Sequence, residues 1–176
     1  TLVERYVAVP VAGKNFKEAR SAIAAALEHE PNNVAFKSAL IRLDNQIDGI
    51  DAAVAKAQAF AAKDPKNPAY DLVLAELYEK AGRLPDAIAL LNKAATQDFA
   101  GSDPVIIALS GVYLRNHQPD KAIAVLEGCL AKQPADTAVQ MALGDTYLQQ
   151  HQLDKAAAAY QVIIKASPRA ASALNN

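Results

Sequence analysis

An all-α array of antiparallel helix pairs is what these 176 residues predict, and three observations predict it. The chain repeats itself: Ala19, Ala53, Ala87, Ala122 and Ala156 stand 34, 34, 35 and 34 residues apart. Leu40, Leu74, Leu109 and Leu143 keep the same beat, as do Tyr78, Tyr113 and Tyr147, and Pro31, Pro65, Pro134 and Pro168. A period of roughly 20 to 50 residues means one supersecondary unit stacked many times, so the fold is a solenoid. Within each period apolar residues recur at helical spacing, as in Leu72, Leu74, Leu77 and Tyr78, then Ile88, Leu90, Leu91 and Ala94. Between these runs sits a short breaker, Ala81-Gly82-Arg83, His117-Gln118-Pro119 or His151-Gln152-Leu153.

In order, the array divides into a partial repeat over 1–33, repeats over 34–67, 68–102, 103–136 and 137–170, and a stub over 171–176. All of it is expected to form one continuous domain. Counting back from Pro31 makes NFKEARSAIAAALEHEP a second helix and residues 1–12 its first, where Pro10 sits badly for a helix interior. The first full pair is expected at 34–46 and 50–63. There Asp44 takes the place of the beat tyrosine and Ile41 that of a small residue, which predicts a loosely packed first helix. The following pairs are expected at 68–81 and 84–97, 103–116 and 119–132, and 137–150 and 153–166, with one extra residue near Gly101-Ser102 giving the step of 35. Pro119 suits a first helical turn, where its missing N–H has no partner to lose. Asp86, Asp120 and Asp154 also fall in first turns, where the helix dipole favours a carboxylate. The proline beat ends each second helix. Helices of about 14 residues run roughly 21 Å. Small residues at Ala75, Ser110 and Gly144, facing Ala87, Ala122 and Ala156, let each pair approach closely.

Neither end carries a polar capping unit, and no methionine opens the chain, so the segment reads as an excerpt of a longer protein. Apolar residues at one raw end, Ile163, Ile164 and Leu174, favour end-to-end self-association. A net charge of −1 and a pI near 6.3 argue against nucleic acid, which needs a concentrated basic surface. They argue equally against an electrostatic membrane anchor. No apolar run approaches the roughly 18 residues of a membrane span. The lone Cys129 excludes an internal disulfide and reads as a buried small hydrophobe on the apolar side of a second helix. His117 and His151 occupy one turn position in adjacent repeats, with Gly82 and Asp48 as their earlier equivalents. No third ligand joins them, so they read as solvent-facing turn residues and no metal is expected. Phosphate-binding and nucleophile-elbow motifs are missing too, and the acidic residues recur at exposed positions, so no catalytic residue is assigned.

The last repeat resembles the tetratricopeptide repeat, whose signature is L-G-x2-Y, then A-x3-F, then P. Leu143-Gly144, Tyr147, Ala156, Tyr160 and Pro168 match it, and earlier repeats match through Leu109, Tyr113 and Ala122 and through Leu74, Tyr78 and Ala87. The resemblance implies a right-handed superhelical solenoid, without cofactor or catalysis, whose first helices line a concave groove that holds another protein or a peptide. Carried onto this chain, the groove positions are Ser38, Arg42, Asn45 and Gln46, then Leu72, Glu76, Glu79 and Lys80. They continue with Ile107, Gly111, Leu114 and Arg115, and end with Met141, Asp145, Leu148 and Gln149. The N-terminal half is polar and mixed in charge; the C-terminal half is apolar with a charged edge, and Leu114 and Leu148 are the expected anchors. The lysines and asparagines with which some co-chaperones of the family clamp a chaperone's terminal carboxylate are absent, and Glu76 and Asp145 would repel it. In texture the alanine-rich repeats are similar to bacterial multi-repeat lipoproteins of the exosortase protein-sorting system and to exopolysaccharide-export proteins. That similarity implies a periplasmic or envelope address. Two other readings are an accessory superhelix of an enzyme whose catalytic domain lies outside this segment, and an RNA-binding pentatricopeptide array. The latter's 35-residue period and basic groove are not seen.

Overall fold

The computed structural model describes residues 16–96 and 103–166, and among them every regular element is a helix. In chain order these are α1 (Phe16–His29), α2 (Val34–Asp48), α3 (Ile50–Ala61), α4 (Ala69–Lys80), α5 (Leu84–Ala95), α6 (Asp103–Arg115), α7 (Pro119–Leu130), α8 (Thr137–Gln149) and α9 (Leu153–Ala166). The expected helix over residues 1–12, Pro168 and the stub with Leu174 lie outside the described residues. The chain clusters into two compact units, Thr1–Leu90 and Leu91–Asn176. In the first, α1 packs on α2, α2 on α3 and α3 on α4, while α2 also lies beside α4. In the second, α6, α7, α8 and α9 pack in sequence and α6 lies beside α8. Each unit therefore uses one stacking rule: a first helix touches its own partner and the first helix of the next repeat.

The beat alanines sit at the centre of this packing. Ala53, Ala87 and Ala122 have no exposed surface, and Ala19 and Ala156 are buried as well. Around them run separate apolar clusters. One joins Ala19 and Ile23 of α1 to Leu40 and Leu43 of α2. Another joins Ala53 and Ala57 of α3 to Tyr70, Leu74 and Leu77 of α4, and a third joins Leu126 and Cys129 of α7 to Val139, Leu143 and Tyr147 of α8. Gly144 is smaller than the rest for a reason of its own. A Cβ there would stand 2.5 Å from the Tyr160 ring, so the close approach it serves is to that ring.

One expectation is corrected here. The first helix of repeat 34–67 is not loose: Ile41 is fully buried, and Asp44 is 1 % exposed. Its Oδ1 lies 3.0 Å from Arg20 Nε of α1 and its Oδ2 lies 3.5 Å from Lys56 Nζ of α3. A buried carboxylate is costly unless paired, and two cations from the flanking helices supply the pairing. An ion pair thus ties neighbouring helices where other repeats use tyrosine.

The turns inside the pairs repeat atom for atom. The N–H groups of Arg83, Gln118 and Gln152 donate to the carbonyls of Tyr78, Tyr113 and Tyr147 at 2.8–2.9 Å. Those of Gly82, His117 and His151 donate to Glu79, Leu114 and Leu148 at 2.9–3.0 Å. This is the Schellman arrangement, which needs a left-handed residue just past the helix. Gly82 supplies it at φ 71°, but His117 and His151 adopt φ 55° and 57° with a side chain in place. The first pair differs. Asp48, the equivalent by count, is still helical, and Gly49 alone separates α2 from α3.

Ala122→Leu should force α6 and α7 apart at an overpacking cost of about 1–3 kcal/mol, whereas Ala135→Leu at an exposed position should change little. Thermal melts of the two variants check this, and equal shifts would contradict the packing. Because a left-handed conformation costs an L-residue about 1–2 kcal/mol, His151→Gly should raise the melting temperature and His151→Val should lower it.

Candidate functional site

The stacking rule brings equivalent positions of successive first helices side by side. Arg42 on α2 and Glu76 on α4 are 34 residues apart in sequence, yet Arg42 donates to Glu76 Oε2 from Nη2 at 2.7 Å and from Nε at 3.1 Å. Lys80, one turn on, donates to Glu76 Oε1 at 2.6 Å. Partial burial pushes the Glu76 carboxyl up, but the bonds from Arg42 and Lys80 outweigh it and hold the group below its ordinary value. All three side chains stay partly in water, so each pair contributes at most about 1 kcal/mol. What the row fixes is charge balance: one carboxylate spans two cations. Asn45 is half-buried on the same helix as Arg42, and Leu72 is half-buried on α4.

In the second unit the exposed strip lies on α8. Met141, Asp145 and Leu148 follow one another at four and three residues and so share a helix face. Met141 is 45 % exposed and Leu148 49 %, both high for apolar side chains of that size. Asp145 accepts a bond from the Tyr160 hydroxyl at 2.7 Å, and Gln149 is exposed at the end of the strip. On α6, Leu114 is half-buried, and Ile107 packs against the cluster of Leu126, Val139 and Leu143. Arg115 is exposed, and its guanidinium lies 3.2 Å from where a Cβ on Gly111 would stand, so the missing side chain gives it room to fold back along the helix. The geometry thus joins Arg42, Glu76 and Lys80 into one row and Met141, Asp145 and Leu148 into another, while turning Ile107 toward the core.

A second set of contacts was not anticipated from the sequence. The Tyr113 hydroxyl of α6 exchanges hydrogen bonds with Asn92 of α5 at 2.9 and 3.2 Å, and the Tyr147 hydroxyl of α8 donates to Glu127 of α7 at 2.5 Å. Asn92 and Glu127 are themselves a period apart, in series with Gln58 and Gln161, and that polar beat was the available signal. Lys121 and Lys155 lie over the Tyr113 and Tyr147 rings at 5.7 and 5.3 Å. Each tyrosine thereby clasps its first helix to the preceding second helix. Two of the first helices also carry side-chain caps: Asn33 accepts from the Phe36 N–H at the start of α2, and Asp136 accepts from those of Ala138 and Val139 at the start of α8.

Among the described residues no group of three or more His, Cys, Asp or Glu is placed to hold a metal, and no helix is long and apolar enough to cross a membrane. His117 and His151 are exposed in their turns, and Cys129 is buried.

Two family models described as tetratricopeptide repeat match the chain, over residues 47–104 and 113–175. No curated protein matches it significantly. Among solved structures, a thermophilic tetratricopeptide-repeat protein from Thermus thermophilus is similar at 24 % identity with a TM-score of 0.61, covering 92 % of this chain and 91 % of that one. MamA is similar at 21 % identity and a TM-score of 0.59, over 90 % and 92 % of the two chains. The human IFIT1 dimer with m7Gppp-AAAA is similar at 18 % identity and a TM-score of 0.55, over 89 % of this chain and 40 % of that one. At these identities the likeness concerns the fold.

The clasp predicts a pH dependence. Burial, then the bond to Glu127, pushes the Tyr147 phenol up to about 12. An unfolded tyrosine ionises near 10, so the folded state holds this proton more tightly. The resulting stability is intact below about pH 10 and is lost as pH rises toward about 12. Melts across that range should fall more steeply for the native protein than for Tyr147→Phe; identical slopes would refute the clasp.

Proposed function

We propose that this chain, a tetratricopeptide-repeat protein over residues 47–104 and 113–175, is a non-catalytic scaffold that holds a peptide or protein on its first-helix faces. Members of this family are generally non-catalytic and generally bind proteins. The observation that carries the reading is the strip on α8, where Met141 and Leu148 leave nearly half their surface in water on either side of Asp145. Covering the exposed half of such a side chain stabilises a complex by about 1 kcal/mol, and a few such anchors dominate a typical interface. An amphipathic helix or an extended segment with apolar side chains at matching spacing fits the strip. A cation on the partner would meet Asp145 and set register. Leu114 and Arg115 on α6 extend the surface, and the Arg42, Glu76 and Lys80 row supplies polar recognition in the first unit.

RNA is the weaker ligand. IFIT1 holds m7Gppp-AAAA, but a phosphate chain here would need free cations, and Glu76 already engages Arg42 and Lys80. An accessory role beside a catalytic domain gains no support from these surfaces. For the pathway, the alanine-rich repeat texture supports an assembly of the bacterial envelope, working in export or sorting.

Leu148→Asp should abolish capture of the native partner in cross-linked pull-downs while leaving the melting temperature nearly unchanged, because the side chain is half in water. Leu114→Asp should also weaken capture, with some loss of stability because that side chain is half-buried. Full capture by both variants would exclude the first-helix faces as the binding surface.

A further inference from the structure

At the inter-repeat edge of the first unit, a recess of about 530 Å³ opens between the end of α1, the start of α2 and the end of α3. Leu27, Pro31 and Phe60 form its apolar side, and Lys37, Lys63 and Asp64 its charged side. Lys37 is the unusual member. Only 7 % of the residue is exposed, and its Nζ stands 5.6 Å from the centre of the Phe60 ring. Among the described residues no carboxylate pairs with it and no hydrogen bond engages its ammonium. The stem is buried while the ammonium emerges into the recess beside the Phe60 ring, where no carboxylate among the described residues balances its charge.

Packing does not require a lysine there. The second unit has an equivalent recess of about 350 Å³, in which Ile106, Cys129 and Lys132 stand 69 residues beyond Lys37, Phe60 and Lys63. Isoleucine occupies the Lys37 position without a charge, so the cation in the first recess is an addition to the fold. Lys63 brings a second positive charge, and Asp64, one oxygen of which takes a bond from Asn67 at 2.9 Å, removes one. The net of one positive charge suits a monoanion and disfavours a phosphate dianion. Lys37 also lies about 140° around α2 from Arg42, at about 100° per residue, so the recess is separate from the first-helix row.

We propose that this recess binds a single carboxylate carried on an apolar body, with the carboxylate between Lys37 and Lys63 and the body against Phe60, Leu27 and Pro31. Its volume falls within the roughly 300–1,000 Å³ range of small-ligand pockets. The carboxylate belongs either to a free organic acid or to an acidic side chain flanked by apolar residues.

Titration of the ¹⁵N-labelled protein with 3-phenylpropionate, followed by NMR, should give saturable shifts at Lys37, Phe60 and Lys63. Lys37→Met, which keeps the apolar stem, should weaken binding by about tenfold, and the neutral 3-phenylpropanamide should bind about tenfold more weakly to the native protein. If Lys37→Met fails to fold, Lys63→Gln at the exposed rim should still weaken binding several-fold. A second arm uses an acetylated and amidated Leu-Glu-Phe peptide, whose only charge is its carboxylate. Shifts with the peptide alone, lost in Lys37→Met, support the site and assign it to a protein side chain. Shifts with the free acid assign it to a small molecule. No saturable shift from either probe, or equal affinity for the amide, would overturn the proposal.

Discussion

The rest of the structure depends on how closely two helices can cross where only a methyl group stands between them. Ala53, Ala87 and Ala122 are sealed from solvent at those crossings. Helix axes pack 8–10 Å apart according to the side chains at the contact, and alanine keeps a pair toward the short end. That spacing leaves no freedom to rotate either helix, because turning one would drive a larger side chain into the gap. Once the pair is locked, the outer face of each first helix is determined, and Arg42 comes level with Glu76 across 34 residues of sequence. Tyr160 presses the same rule further, filling the space over Gly144 that even an alanine would close.

Much of the fold was legible in the sequence because it repeats. Helix limits agreed with the expected ones to within about two residues at most boundaries, the usual latitude of helix ends. What periodicity could not disclose is what a single residue does differently from its equivalents. His117 and His151 read as ordinary turn residues, yet they carry the left-handed backbone that Gly82 supplies in an earlier repeat. Nothing in an apolar pattern encodes that torsion. Asp44 looked like a defect in the tyrosine beat because its partner, Arg20, lies 24 positions earlier on another helix. Cross-helix pairing of that kind depends on neighbours in space.

The candidate surface was legible as positions and much less as exposure. Ile107 and Met141 hold the same place in successive repeats, but the first packs on the core and the second is 45 % exposed. The difference comes from their surroundings. α6 has α8 along its side, whereas among the described helices α8 touches only α6, α7 and α9. Charge behaves similarly: Arg42, Glu76 and Lys80 read as a mixed-charge half of the groove in the sequence, and the fold joins both cations to the one carboxylate. Lys37 carries no signal in the sequence by itself, because its meaning depends on the recess around it and on Ile106, its uncharged counterpart.

The tyrosine clasps reach back by different counts, 21 residues from Tyr113 to Asn92 and 20 from Tyr147 to Glu127. The longer count contains the residue that stretches one period to 35, and the clasp closes all the same. The three-residue turns inside the later pairs have no such slack, since their hydrogen bonds specify every residue between one helix and the next. A change of length by a residue is therefore absorbed at the joints between repeats, where side chains from both sides re-form the contact, and not inside a pair. Length varies at the joint, and the helix pair keeps its own register.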